Sequence, residues 1–192
     1  MCKLFKASIV AALAAAGVFT LTTVPVRAGF FFVPSPCDFI TGGGFIFTDS
    51  QARANFGAHG GCKNGGFWGH VNYVDHGGFN GVTPYHVDST EITGYLMDPA
   101  FPNARDICGF ARTNAGETLR FRVRMEDNGE PGTQDRFGIV LENGYLVTTR
   151  LLGGGGPGGG NIQLHKPNPS TTGPNPSPSE AAMCGGLPSP GV

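Results

Sequence analysis

The chain has 192 residues, 13 Lys/Arg against 14 Asp/Glu, and only 14% charged side chains. That balance excludes the basic profile of a general nucleic-acid binder. Glycine reaches 32 residues, which penalises helix and suits tight turns and closely packed backbones.

Lys3 and Lys6 precede an apolar run, Ile9 to Leu21, and Val26-Arg27-Ala28 offers a small-residue cleavage site. This is the pattern of an export signal over residues 1–28, with Gly29 as the first mature residue. The rival reading is a retained anchor, but the run is short and Ala-rich for a bilayer core of about 30 Å. No later segment reads as a transmembrane span. Removal of residues 1–28 leaves ten basic against fourteen acidic side chains, a net charge of −4.

The first hairpin is expected around a four-residue turn, Thr48 to Gln51, with partners whose numbers sum to 99. Phe45 then faces Ala54, Phe47 faces Ala52, and Gly43 faces Phe56, so that large side chains meet small ones. Arg53 and Asn55 fall on the opposite face. The same register sets Cys37 opposite Cys62, where a disulfide can close the hairpin. Strands follow at Trp68–Asp75, with Val71 and Tyr73 on one side and His70 and Asn72 on the other, at Val87–Leu96, and at Ile107–Arg112.

The most informative stretch is Thr118–Glu126. Leu119, Phe121, Val123 and Met125 share one face, and Arg120, Arg122, Arg124 and Glu126 the other. Period two marks a strand buried on one side and wet on the other. Arg136–Glu142 and Tyr145–Leu151 flank Asn143-Gly144, a strong hairpin signal, and Gly158–Lys166 closes the domain. Triple glycines introduce the first and last strands (Gly42–Gly44 and Gly158–Gly160). They are either neighbours in one sheet or two unrelated lead-ins.

These elements predict an all-β, antiparallel β-sandwich of seven or eight strands over residues 29–166, with a closed barrel as second choice. Residues 167–192 hold seven of the fifteen prolines and almost no large apolar side chains, and are expected to be a disordered tail. An even set of four cysteines after the signal suits disulfides in an exported protein. Cys37–Cys62 is preferred over Cys62–Cys108. Cys184 pairs with Cys108, joins another molecule, or stays free.

Five motifs occur in order: Phe39–Phe45 (FITGGGF), Phe67–Gly77 (FWGHVNYVDHG), Glu126–Gly132 (EDNGEPG), Phe137–Tyr145 (FGIVLENGY) and Gly159–Lys166 (GGNIQLHK). Together they resemble the post-choice-of-anchor domain, a bacterial secreted module, over roughly residues 38–166. The resemblance implies an extracellular accessory or surface domain and implies no reaction.

Several residues carry candidate chemistry. Asp127, Asn128, Glu130 and Asp135 bring carboxylate and amide oxygens onto one Gly-bearing turn, as a calcium ion requires, although the spacing is not that of an EF-hand. No other cofactor is indicated. His70 and His76, with Asp75, could serve a metal or hydrolytic site. Along a straight strand they would stand about 20 Å apart, so one ion would need a bend or His59 or His86. No Gly-x-Ser-x-Gly elbow is present. Arg120, Arg122 and Arg124 would line the solvent face and could grip an anionic polymer, against the plainer reading of a charged sheet face with cross-strand acids. Trp68, Phe67, Tyr73 and Tyr85 could form a sugar-stacking platform or belong to the core.

The resulting expectation is a secreted, non-catalytic, surface-associated or ligand-binding β domain. Its partner is an extracellular polysaccharide or another cell-surface component. The alternatives are a small secreted hydrolase and a calcium-stabilised structural module.

Overall fold

Each segment with period-two alternation forms a strand. The computed structural model describes residues 30–191, and the expected signal segment 1–28 lies outside them. Nine strands follow in chain order: β1 (Phe39–Phe47), β2 (Arg53–Lys63), β3 (Gly66–Asp75), β4 (Tyr85–Asp98), β5 (Phe101–Thr113), β6 (Thr118–Glu126), β7 (Arg136–Leu141), β8 (Leu146–Leu151) and β9 (Gly160–His165). The Asn143-Gly144 turn links β7 to β8 as expected, with Gly144 at a φ of 90° and its amide bonded to the Leu141 carbonyl. A 3-10 turn at Leu152–Gly155 joins β8 to β9, and one short helix, α1, spans Glu180–Cys184.

The fold is all-β and antiparallel, as the alternation predicts. The strands do not divide into the two stacked sheets of a sandwich. They form one sheet, ordered β8-β7-β6-β5-β4-β3-β2-β1-β9, curled into a half-barrel. The first and last strands are therefore neighbours, with Gly43 opposite Asn161 and Gly44 opposite Gly160. Glycine is required at that contact, because a Cβ on Gly44 would lie 2.3 Å from the Gly159 carbonyl oxygen.

The inner face holds the main core. Phe121, Val123 and Met125 of β6 are fully buried against Ile40, Ile46 and Ile107. Burial of such side chains contributes about 1.5–3 kcal/mol each.

The expected register of the first hairpin is wrong by one residue. Partners in β1 and β2 sum to 100: Ile46 faces Ala54, Phe45 faces Asn55, and Phe47 faces Arg53. The turn takes in one more residue, the Thr48 amide bonding to the Ala52 carbonyl with Gln51 at a φ of 63°. A one-residue slip exchanges the faces of a strand. Ile46 is thus buried, and Phe45 and Phe47 turn outward. The Cys37–Cys62 disulfide forms nonetheless, with its Cα atoms 5.9 Å apart.

The tail also departs from expectation. Residues 167–191 pack on the sheet instead of lying free. A second disulfide, Cys108–Cys184, ties α1 to β5. Ser179 caps the helix by accepting the Ala182 amide, and Gly185 ends it at a φ of 65°. Met183 fills the space left by Gly94, where a Cβ would stand 2.5 Å from its own Cβ. Phe31, Leu96, Cys108, Met183 and Cys184 make a second buried cluster on the outer side of the sheet. Composition underestimates this segment, because a few anchors and one covalent link replace a broad apolar surface. Among the described residues, no helix is long and apolar enough to cross a membrane.

Candidate functional site

The arginine row of β6 stands on the outer face, but that face is not wet. Arg122 and Arg124 are 1% and 0% exposed, because the C-terminal segment covers them. Arg122 donates to Asp106 Oδ2 at 2.7 Å, to Glu180 Oε1 at 2.6 Å and to the Leu187 carbonyl at 2.8 Å. Arg124 donates to Asp98 Oδ2 at 3.1 Å, to Glu126 Oε1 at 2.9 Å and to Ser189 Oγ at 3.2 Å. Each arginine also lies over an aromatic ring: Arg120 on Phe110, Arg122 on Phe31 and Arg124 on Phe101, at 4.5, 4.4 and 4.9 Å from the ring centroids. The row expected to meet an external anion is matched inside the molecule.

The acidic turn performs a different task from the one its composition suggests. Asp135 is fully buried and accepts the amides of Asn128 and Ile162 at 2.8 and 2.7 Å. Asp127 accepts the amides of Gly129 and Leu164 at 3.1 and 2.8 Å. Glu130 accepts the Asn161 side-chain amide at 3.1 Å, and Asn128 accepts that of Asn103. Burial pushes the Asp135 carboxyl above its ordinary range, opposed by the two amides. Ile162 and Leu164 belong to β9, so the β6–β7 turn caps the outer edge of the last strand. Among the described residues, no three His, Cys, Asp or Glu side chains converge as a metal site.

The histidine constellation separates. Asp75 points inward, where Tyr145 Oη donates to it at 2.7 Å and also bonds Tyr73 Oη at 2.7 Å. Burial drives both phenols far above their ordinary value. His76 lies beyond the end of β3 against the Asn55 amide, 3.4 Å away. His70 is on the outer face of β3 with Ser89 and Asp88 of β4: Ser89 Oγ is 3.1 Å from Nδ1, and Asp88 Oδ1 is 3.1 Å from Nε2. Ser89 Oγ also accepts the Val71 amide at 2.8 Å. The Asp88 carboxylate can only accept, so in the neutral tautomer that donates Nε2–H to it, Nδ1 accepts the Ser89 hydroxyl proton.

Of the proposed aromatic platform, Tyr73 and Tyr85 are core residues. Phe67 packs against both buried clusters. Trp68 stays half-buried on the outer face.

There Trp68 joins a ladder that sequence reasoning missed. His165 of β9 stacks on Phe39 of β1, with centroids 4.3 Å apart and planes within 6°. Phe39 leans to 6.0 Å from Trp68, Trp68 is 5.3 Å from His59, and His59 is 6.3 Å from His70. Sheet register explains the assembly: Phe39, Gly61 and Trp68 share one cross-strand row, and Thr41, His59 and His70 the next. Gly61 must be glycine, since a Cβ there would meet the Phe39 Cβ at 2.4 Å. Burial, then the nearby His70, lowers the His59 pKa below 6.5.

The following row is a floor without side chains. Gly43 faces Gly57, and Asn161 and Asn72 flank them in the register. A Cβ on Gly57 would have no neighbour within 4 Å. Beyond the floor, Phe45 rises again with the Arg53 guanidinium 4.0 Å above its ring. The outer face of β9, β1, β2 and β3 thus carries aromatic rings at two ends and hydrogen-bonding groups over glycine between them. The sequence points to Trp68, His70 and Gly42–Gly44 separately, and Gly57 and Gly61 inside a strand are further signals, because glycine there marks close approach.

Comparison with known proteins returned no matching family model, no similar curated protein and no similar solved structure.

Proposed function

We propose that this chain is an exported, non-catalytic β domain that binds an extracellular or cell-surface component through the outer face of β9, β1, β2 and β3. The observation that carries this reading is the contrast between the two halves of the outer surface. Over β4–β6 the chain covers itself with its C-terminal segment, pairs Arg122 and Arg124 with carboxylates, and lays Arg120 over Phe110. Around Trp68 the ladder and its glycine floor are left open to solvent. Two disulfides suit an oxidising compartment, and the resemblance to post-choice-of-anchor domains points the same way. The test is retention of the full mature chain on isolated cell envelopes and extracellular polysaccharides. Trp68→Ala should abolish retention, and Arg120→Ala should preserve it. Equal retention of wild type and Trp68→Ala would exclude this face.

A second reading, a small hydrolase, draws on the Ser89, His70 and Asp88 arrangement. The hydroxyl is oriented toward an imidazole nitrogen that can accept its proton, which is what an activated serine needs. The exposure of the Asp88 carboxylate and the donation of the Val71 amide to Ser89 Oγ both weaken that activation. A panel of ester, glycan and peptide substrates assayed with Ser89→Ala and His70→Ala decides it. Turnover lost in both variants would replace the binding reading.

A further inference from the structure

The binding face described above also carries information about the class of its occupant. Its charged groups stand at the margins and are already engaged. Arg53 lies over Phe45 and donates to Asn55 at 2.8 Å, Lys63 reaches over Trp68 at 5.8 Å, and Asp88 is held by His70. Arg53 and Lys63 begin and end β2, roughly 30 Å apart along the strand. Between them the polar side chains that face outward include Thr41, Asn55, His59, Asn72, Asn161 and Gln163, with the Gly43–Gly57 floor at the centre. An anionic polymer would need cations along its path, and this face provides none there. A peptide strand would seek a free sheet edge for its backbone, but β1 and β2, which carry the glycine floor, are paired on both sides there.

The remaining chemistry is that of a sugar chain. Apolar ring faces stack on aromatic side chains, and hydroxyls exchange hydrogen bonds with amides, imidazoles and hydroxyls. The aromatic row at Phe39 and Trp68 lies six residues from Phe45 along β1, a span of roughly 20 Å. That distance accommodates several sugar rings in succession, and the missing side chains at Gly43 and Gly57 leave room for them to sit close to the backbone. The lowered His59 pKa keeps that imidazole uncharged at neutral pH, in line with an uncharged face.

Resting on the binding reading above, we infer that the occupant is a neutral polysaccharide lying along β1 and β2, stacked at Trp68 and seated over the Gly43–Gly57 floor.

The test uses the full mature chain on insoluble cellulose, xylan and mannan, and on immobilised alginate and heparin, at low salt and at about 0.5 M salt, where exposed charge pairs are screened. Two variants accompany the wild type. Trp68→Ala removes the stacking ring. Gly57→Leu places a side chain into open space, so its melting curve should match the wild type while the floor is filled. Retention on a neutral polysaccharide, insensitive to salt and weakened about tenfold or more by each variant, is the expected result; that fold-change corresponds to about 1.4 kcal/mol. Retention on the anionic matrices alone, eluted by salt and lost in Gly57→Leu, overturns the inference and keeps the face. Retention that neither variant alters overturns both. Absence of retention on every neutral matrix overturns the inference.

Discussion

Asp135 Oδ2 accepts the backbone amide of Ile162 at 2.7 Å, and by that bond the turn between β6 and β7 holds the edge of β9. An edge strand offers unpaired amides to any passing strand. Here two of them, Ile162 and Leu164, are capped by carboxylates supplied from 37 or fewer residues away in sequence.

Removing that cap has a predictable cost. Asp135→Ala leaves the amides of Ile162 and Asn128 without their acceptor, and a buried unsatisfied donor costs about 1–3 kcal/mol. Urea denaturation should show a loss of that order or more, and hydrogen exchange at Ile162 should accelerate. An unchanged midpoint would mean that the cap contributes nothing.

The same occupancy bears on calcium. With the oxygens of Asp127 and Asp135 already bonded to amides, the melting temperature should be the same in millimolar calcium and in chelator. A rise of several degrees with calcium would return the turn to the role that its composition suggests.

The arginines of β6 should differ sharply from one another. Arg124→Ala strips the buried carboxylates of Asp98 and Glu126 of their partner, a change of about 3–5 kcal/mol in comparable buried pairs. Arg120 is only partly buried and rests on Phe110, so Arg120→Ala should cost about 1 kcal/mol or less. Denaturant titration of both variants checks this, and equal losses would contradict the burial of Arg124.

How much of this was legible in the sequence varies by level. Strand positions were readable because alternation reports which residues share a face, and Thr118–Glu126 is bounded as expected. Alternation does not report what covers a face: Arg122 and Arg124 read as wet, yet the C-terminal segment lies over them, Glu180 on Arg122 and Ser189 on Arg124. The hairpin register hinged on whether Ala52 belonged to the turn, a difference of one residue that no composition rule resolves. The ladder was unreadable for a different reason: His165, Phe39, Trp68 and His59 come from four strands, and His165 joins the set through the non-sequential β1–β9 pairing.

The Cys108–Cys184 link closes a sequence separation of 76 residues. In the chain-entropy account a loop of that length corresponds to about 4–5 kcal/mol. Paired Cys108→Ser and Cys184→Ser substitutions should lower stability by about 2–5 kcal/mol and open residues 168–191 to proteolysis. Limited digestion followed by mass analysis reads this directly. A tail as resistant as in the wild type would show that Met183 and the arginine contacts suffice alone.

The chain has one tryptophan, Trp68, and it lies beside His59. A histidine whose folded pKa is lowered contributes its full stability above 6.5 and loses it as the pH falls from 6.5 through the folded value. Protonated imidazole quenches indole emission. Fluorescence should therefore fall as the solution is acidified below pH 6.5, together with a decline in stability, and His59→Gln should flatten both curves. Emission independent of pH in the wild type would separate the two rings.

Seven of the eight strand pairings join neighbours in sequence, and only β1 with β9 does not. A chain of consecutive hairpins can zip in small steps, each closing a short loop at modest entropic expense. The ninth strand must instead travel back to the start of the meander, and it meets its carboxylate acceptors only once β6 and β7 have turned. Closure of the β9 edge is in this way made conditional on β6 and β7, so that a molecule with that edge satisfied has already brought the far side of the meander round to its start.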